Sequence, residues 1–376
     1  MSQNVYSSPG PNRPQPQKII AFALIVIAVL IIIGSGIAYF VLNQNHGGGI
    51  TNNPTPTGPA GPAGPCSTNS PYGFTTIHAD QKLVTLYNQL GVCWVRYQHH
   101  WRQQKQYEVG IETAPGVYNW SQVDAVVALM NKANIHIDFP IQSAPTWDMT
   151  QTCNGTPFLP GPEQMYKFAY MIAQRYDGKH GHGHIDAFEI GNEEYDNYPV
   201  LACRTANYYG PVLEAGYKAI KAASPNALIG MFGMWYHNLP HIQDFMTYLY
   251  SNGYGQYLDY MNFHYYHSGL DPAVTNNDNP SFDLQWQTMH NIAAKYGFAN
   301  KPIWVTETGW ADSNPQQQNQ YLQYIMNESA KSQVIQKVFW YTINEPFDPK
   351  NINPGNGPLP SFQTFQAIVR ERPVWN

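Results

Sequence analysis

Charged residues are scarce in this sequence. Only 12% of its 376 residues are Asp, Glu, Lys or Arg, and the formal net charge is −5. A surface that binds nucleic acid needs an excess of positive charge. The composition therefore argues against a nucleic-acid partner.

Cysteine is also rare. The four cysteines are Cys66, Cys93, Cys153 and Cys203, and no two of them are separated by only two residues. The paired spacing that is typical of a structural zinc site is therefore missing from the sequence. We expect neither a metal site nor a cofactor.

Aromatic residues, in contrast, are abundant. They make up 14% of the chain, with 27 Tyr and 10 Trp. Such rings pack in protein cores, and they also stack on the apolar faces of sugar rings. Composition alone does not choose between these two uses.

The first 71 residues predict three segments. Residues 1–18 are polar and rich in proline, and we interpret them as a disordered tail. Ile19–Leu42 is an uncharged apolar run that is long enough, as a helix, to cross a bilayer of ~30 Å. Residues 43–71 are rich in Gly and Pro and are interpreted as a linker.

The apolar run predicts contact with a lipid bilayer. It is longer than the core of a cleaved signal peptide, which spans about 7–15 residues, so we expect an uncleaved single-pass anchor. Arg13 and Lys18 precede it, which favours a cell-membrane protein whose remaining chain lies outside the cytoplasm. Cleavage after Ala38 is the alternative, and the protein would then be secreted.

Residues 72–376 alternate short apolar strands with helical patterns, as parallel α/β folds do. Eight such units in one domain predict a (β/α)8 TIM barrel, which we expect to be monomeric. The predicted strands are Gly73–Ile77, Trp94–Tyr97, His136–Ile141, Ile185–Ile190, Leu228–Phe232, Tyr260–Tyr265, Ile303–Thr306 and Lys337–Tyr341. The predicted helices are Gln81–Leu90, Ser121–Ala133, Glu163–Tyr176, Thr205–Ala223, Ile242–Asn252, Ser281–Tyr296, Pro315–Ser332 and Ser361–Arg370.

Two of the predicted strands end in carboxylates. HIDAFEIGNEEYDN carries Glu193 after the fourth strand, with Asn192 beside it, and KPIWVTETGW carries Glu307 after the seventh. Active sites of such barrels lie at the carboxyl ends of the strands. Two carboxylates that face one cleft are what glycoside hydrolysis requires.

The two motifs carry a family resemblance. EIGNEEYDN resembles the strand-four motif of the glycoside hydrolases of clan A, and IWVTETGW resembles their strand-seven motif. Residues 116–147 also resemble this clan, especially family 39 and the cellulase-like family 5. The similarity covers nearly everything from Tyr72 onward. Gly191 and Glu194 depart from the pattern, because the clan often has Trp and Pro at these positions.

The resemblance implies an activity and two catalytic residues. It implies hydrolysis of β-linked oligosaccharides or polysaccharides with retention of configuration. Glu193 would be the general acid and base, and Glu307 the nucleophile. Glu194 is the rival of Glu193, but the clan motif places the acid directly after Asn192.

The same resemblance implies a set of substrate-binding residues. Asn192 would bind the sugar 2-hydroxyl, Arg96 would support the nucleophile, and Tyr266 would donate to it. The remaining members of the set would line the sugar: His264 in the glycone pocket, Trp147 as a platform after strand three, and Trp340 beneath the cleavage subsite. Tyr341 is the alternative to Trp340, because the face of strand eight is not determined by its sequence.

Loop positions in the predicted barrel suggest two disulfides. Cys153 and Cys203 follow strands three and four and would meet on the face of the candidate site. Cys66 and Cys93 lie before strands one and two and would meet on the opposite face. A binding barrel without catalysis, displayed at the cell surface, is the competing functional interpretation.

Overall fold

The computed structural model describes the barrel region and leaves gaps in several loops. The described residues are 66–104, 108–193, 205–235, 238–267, 271–275, 280–311, 313–343, 350–353 and 357–375. The predicted tail, the apolar run Ile19–Leu42 and most of the predicted linker lie outside them. Within the described part, no helix combines the length and apolarity that a membrane span requires.

Eight parallel strands form the centre of the structure. They alternate with eight helices along the described chain, as predicted. The strands are β1 (Tyr72–Thr76), β2 (Trp94–Tyr97), β3 (His136–Ile141), β4 (Ala187–Ile190), β5 (Leu228–Gly230), β6 (Met261–Tyr265), β7 (Ile303–Thr308) and β8 (Ile335–Trp340). The helices are α1 (Gln81–Leu90), α2 (Ser121–Lys132), α3 (Pro162–Arg175), α4 (Thr205–Ala223), α5 (Leu239–Ser251), α6 (Phe282–Lys295), α7 (Pro315–Ser332) and α8 (Pro360–Glu371).

The strand order closes into a barrel. The hydrogen-bonded order is β6-β7-β8-β1-β2-β3-β4-β5. The two ends of this sheet meet through a parallel bridge between Met234 and Phe263, where the His264 backbone N–H donates to the Met234 carbonyl at 2.9 Å. The predicted (β/α)8 barrel is therefore confirmed.

Four of the helices begin at a side-chain cap. The side chains of Asp80, Asn238, Ser281 and Asn314 each accept a hydrogen bond from the third residue of the helix that follows. Such caps satisfy backbone N–H groups that have no partner within the helix. Each of these four helices then turns an apolar face toward the barrel.

Large rings fill the lower half of the barrel, at the amino ends of the strands. Glycines on neighbouring strands make room for them. A Cβ at Gly73 would overlap the ring of Phe339, and one at Gly230 would overlap the ring of Tyr260. The inward-facing cluster comprises Trp94, Ala187, Tyr260, Trp304 and Phe339.

The amino end of the barrel is closed by residues that the sequence assigned to the linker. Cys66 forms the predicted disulfide with Cys93, with a Cα–Cα distance of 5.2 Å. The buried Lys337 donates from Nζ to the Thr68 carbonyl at 2.6 Å and to the Ser70 carbonyl at 2.9 Å. The packed unit therefore begins no later than Cys66.

Two short hairpins were not predicted. Residues Glu112–Ala114 pair with Val117–Tyr118 after β2, and Gln151–Cys153 pair with Thr156–Leu159 after β3. Cys153 takes part in a disulfide bond. Cys203 lies outside the described residues, so the Cys153–Cys203 pairing stays a prediction.

Candidate active site

The end of β4 presents two polar side chains at the carboxyl end of the barrel. Gly191 follows the strand with φ of 102°, a left-handed backbone that glycine adopts without strain. The chain turns there, and Asn192 and Glu193 follow the turn. Glu194, the rival acid, lies outside the described residues.

A register shift places Glu307 opposite the end of β6. β7 pairs with β6 in parallel, and the register shifts between Phe263 and His264, so that His264 pairs with Glu307. Glu307 lies within β7 rather than after it, and only 6% of it is exposed. A buried carboxylate in this position requires hydrogen-bond partners.

Arg96 connects the two carboxylate-bearing strands from the floor of the site. It is fully buried, and its Nε and Nη2 donate to Glu189 at 3.1 and 2.7 Å. Nη1 donates to Glu307 Oε1 at 2.5 Å, and Nη2 also donates to Asn192 Oδ1 at 2.7 Å. Burial acts to lower the pKa of Arg96, but the charges of Glu189 and Glu307 outweigh burial and raise it. Arg96 is thus a permanent cation.

Asp138, which pairs with Arg96 in the strand register, completes the network. Burial, followed by the charge of Glu189, raises the pKa of Asp138 well above its ordinary value. Tyr260 donates to Asp138 Oδ1 at 3.2 Å. The carboxyl groups of Glu189 and Glu307 share Arg96 as their cationic partner.

Glu307 accepts hydrogen bonds on both of its oxygens. In addition to Arg96, the Gln98 amide donates from Nε2 to Oε1 at 2.5 Å. The Tyr266 hydroxyl donates to Oε2 at 2.9 Å. Burial and then the charges of Glu307 and Glu193 raise the pKa of Tyr266 well above its ordinary value, so Tyr266 keeps the proton that it donates.

Gln98 is a contact that the sequence analysis missed. It follows β2, two residues after Arg96, and residues two apart on a strand face the same side. This two-residue separation from Arg96 was the one signal in the sequence that could have indicated the position of Gln98. It places a side chain toward the barrel, but it does not reveal that the amide reaches a residue 209 positions further along the chain.

His264 joins the two candidate catalytic residues. Its Nδ1 lies 2.6 Å from Glu193 Oε1 and 3.7 Å from Glu307 Oε2. The ring is fully buried, and it packs so closely on Gly233 that a Cβ there would overlap Nε2. One oxygen of each glutamate and this nitrogen all lie within 4.8 Å of one another.

Comparisons with known proteins point to glycoside hydrolases. A family described as the glycosyl hydrolase catalytic core matches residues 195–357, which is less than half of the chain and includes Glu307 but not Glu193. Among curated proteins, no relative matches the sequence significantly.

Many solved structures are similar to this chain, and three of them illustrate the range. A family 39 glycoside hydrolase from Bacteroides cellulosilyticus WH2 has a TM-score of 0.61 at 18% identity, over 80% of this chain and 64% of that one. A family 39 β-xylosidase from Caulobacter crescentus has a TM-score of 0.56 at 14% identity, over 83% and 73%. The Pseudomonas stutzeri endoglucanase Cel5A has a TM-score of 0.55 at 13% identity, over 81% and 95%.

The resemblance to the glycoside hydrolases of clan A is confirmed. At these identities the structural similarity establishes the shared fold. The chain spans less than two thirds of the length of the Bacteroides enzyme.

The two tryptophans that the clan resemblance assigned to the sugar have different surroundings. Trp147 lies in the loop after β3 and is 43% exposed. Its indole N–H donates to Glu112 Oε1 at 3.3 Å, which anchors the ring to the first hairpin. An exposed, anchored ring is suited to stacking on a sugar.

Trp340 does not reach the site. It is fully buried, its ring packs on Tyr321 of α7, and its indole N–H donates to the Lys350 carbonyl at 3.2 Å. Lys337 and Phe339 face the barrel interior, so Trp340 faces the helices. Tyr341, which the sequence analysis gave as the alternative to Trp340, lies two residues after Phe339 and therefore falls on the inward-facing side of β8.

The site has the ligand spacing of a metal centre. Glu193, His264 and Glu307 each offer one ligand atom within the 4.8 Å cluster. However, both oxygens of Glu307 already accept hydrogen bonds, and the nearest nitrogen of His264 is bonded to Glu193. The donor set is therefore better matched to a hydrogen-bonded carboxylate pair than to a cation.

Proposed function

We propose that this protein is a retaining glycoside hydrolase that cleaves β-linked oligosaccharides or polysaccharides by double displacement. The observation that carries the proposal is the proximity of Glu193 and Glu307, whose nearest oxygens lie within 4.8 Å. Retaining enzymes hold the two carboxyl groups about 5–5.5 Å apart, and inverting enzymes hold them about 6.5–9.5 Å apart. The spacing supports the retaining mechanism.

In the first step, Glu307 attacks the anomeric carbon. Its Oε2 forms the bond to C1 while the bond from C1 to the leaving oxygen breaks, and the electron pair goes to that oxygen. Glu193, in its acid form, gives its proton to the leaving oxygen. Glu307 must be ionised for this step, and the charge of Arg96 and the hydroxyl of Tyr266 stabilise its anion.

In the second step, water releases the sugar. Glu193, now a carboxylate, accepts a proton from the water as its oxygen bonds to C1. The bond from C1 to Glu307 breaks, and Glu307 leaves as a carboxylate. Arg96 and Tyr266 are already in place to receive the returning negative charge.

The remaining polar contacts fit substrate binding. Asn192, held by Arg96 through its side-chain oxygen, would use its amide nitrogen to bind the sugar 2-hydroxyl. Trp147 would provide a platform for a further sugar unit. Because the structural neighbours include proteins named as an endoglucanase and a β-1,4-mannanase, we favour a β-1,4-linked polysaccharide as the substrate class. A membrane anchor at Ile19–Leu42 would place this activity outside the cytoplasm.

A panel of aryl β-glycosides and β-linked polysaccharides tests the proposal. We expect the native protein to hydrolyse at least one class with the anomeric configuration retained, as followed by proton NMR of the first product. Glu307→Ala should remove this activity on every substrate. Binding of the polysaccharides without any turnover would instead favour the binding barrel, and an inverted product would contradict the roles assigned to Glu193 and Glu307.

A further inference from the structure

Gln98 has no role in the mechanism described so far, yet it makes one of the two shortest contacts to Glu307. Its Nε2 and the Nη1 of Arg96 both donate to the same oxygen, Oε1, and each distance is 2.5 Å. This contact joins the end of β2 to β7 across the barrel. Gln98 is half-buried, so its amide lies at the edge of the cleft.

The two oxygens of Glu307 have different environments. Oε1 is held by a cation and an amide, and it faces β2. Oε2 accepts the Tyr266 hydroxyl as its one side-chain hydrogen bond from the described residues, and it lies 3.7 Å from His264 Nδ1, which contacts Glu193. Oε2 is therefore the oxygen on the side of the acid.

We propose that Gln98 is a positioning residue for the nucleophile. With Arg96 it fixes Oε1, so that Oε2 forms the bond to the sugar and Oε1 becomes the carbonyl oxygen of the glycosyl ester. This inference rests on the proposed retaining mechanism. It adds a residue to that mechanism and assigns a separate function to each oxygen of Glu307.

The charge on Glu307 determines which step depends most on Gln98. When Glu307 attacks, its negative charge is consumed, so the bond from Gln98 becomes weaker as the ester forms. When water releases the sugar, the charge returns and the same bond becomes stronger. Hydrogen bonds that strengthen in the transition state accelerate a reaction, whereas those that weaken do not. Gln98 should therefore assist the release of the sugar more than its attachment.

Gln98→Leu tests this asymmetry with dinitrophenyl β-glycosides, whose good leaving group makes sugar release rate-limiting. We expect kcat to fall about tenfold to a hundredfold, the range for a hydrogen bond to a charged group. KM should fall in parallel, so that kcat/KM changes far less. The glycosyl-enzyme should accumulate and be visible by mass spectrometry of the acid-quenched reaction.

Gln285→Leu is the matched control. Gln285 is a buried glutamine of α6 whose amide nitrogen has no partner within the described part of the chain. The substitution removes the same side-chain amide at a position that does not contact Glu307. This variant should therefore retain native kcat and KM. A purely structural role of Gln98 would lower kcat/KM for all leaving groups together with the melting temperature, and that result would overturn the inference.

Gln98→Glu provides a second test if the leucine variant fails to fold. This variant places a second carboxyl group where the Gln98 amide donates to Glu307. Two carboxylates at that distance repel each other unless one of them holds a proton. The other groups facing Glu307 are Arg96, Tyr266, His264 and Glu193, and all are unchanged in this variant. Activity should therefore be retained only toward acid pH, and a pH profile equal to that of the native enzyme would overturn the proposal.

The outcomes separate this inference from the function on which it rests. A native protein that hydrolyses none of the glycosides overturns the proposed function and this inference together. An active native protein whose kinetics are unchanged by Gln98→Leu overturns the inference alone.

Discussion

At the scale of single residues, the two candidate catalytic glutamates differ in exposure and partners. Glu307 is buried and accepts bonds from Arg96, Gln98 and Tyr266. The Glu193 side chain is 28% exposed and contacts His264. The glutamate that we propose as the nucleophile is thus surrounded by donors, whereas the one that we propose to exchange protons with the leaving group and with water lies closer to solvent.

Azide separates the roles of these two residues. In Glu193→Ala, an activated aryl glycoside can still form the glycosyl-enzyme, which then lacks a base for its hydrolysis. Azide should enter the vacated space, restore turnover and give the β-glycosyl azide. In Glu307→Ala, azide should attack from the opposite face and give the α product. The products are distinguished by NMR.

Glu194→Ala is the control for the assignment within the motif. We expect this variant to lose little activity and to show no azide rescue. If azide instead rescues Glu194→Ala with the β product, then the acid has been assigned to the wrong member of the pair, although the reaction class would stand.

Most of the residues around the two glutamates could be predicted from the sequence, but Gln98 could not. Arg96, Asn192, His264 and Tyr266 were expected at the site, and the structure brings them together around the two glutamates. Strand parity and the clan resemblance both pointed to them. Gln98 was not expected, because its role depends on how far a side chain reaches across the closed barrel.

At the scale of elements, the barrel was predictable because each strand is short, apolar and followed by a helical pattern. The face of β8 was not. Strands of a parallel barrel are buried on both sides, so their sequences do not alternate between apolar and polar residues. Trp340 and Phe339 are equally apolar, and only the structure shows that Phe339 faces inward. The two hairpins were missed because their strands are only two to four residues long.

Lys337 in β8 makes the stability of the barrel dependent on pH. Burial lowers its pKa to about 7, whereas an unfolded lysine has a pKa of about 10.4. Between these values the unfolded chain binds more protons, so the contribution of Lys337 to the free energy of unfolding increases as pH rises. Below pH 7 the lysine is charged in both the folded and the unfolded state. Its buried charge then destabilises the folded state more than at any higher pH.

Lys337→Met should remove this dependence. We expect the unfolding free energy of the native protein to increase from pH 7 to pH 10 relative to that of the variant. Urea denaturation at a series of pH values measures both. Lys331→Met, at an exposed lysine of α7, should show no such trend. Parallel stability curves for native protein and Lys337→Met would contradict the assignment.

At the scale of the whole molecule, the boundary between linker and barrel lies earlier than the sequence indicated. Residues 66–70 were assigned to the linker because they continue a stretch rich in Gly and Pro. The disulfide to Cys93 and the carbonyls that bind Lys337 place them in the barrel unit. The disulfide was predicted from the positions of the two cysteines, but the backbone contacts of residues 68 and 70 with Lys337 leave no pattern in a sequence.

Two truncations test this boundary. Deletion of residues 1–65 keeps Cys66 and should give a soluble, folded protein with native activity on aryl glycosides. Deletion of residues 1–71 removes Cys66 and the two carbonyl partners of Lys337. A disulfide that closes a loop with a sequence separation of 27 contributes about 3 kcal/mol, so the shorter protein should unfold at lower temperature and lower urea concentration. Equal stability of the two truncated proteins would place the boundary after residue 71. Aggregation or inactivity of the 66–376 protein, while the full chain is active in detergent, would instead show that residues before Cys66 belong to the folded unit.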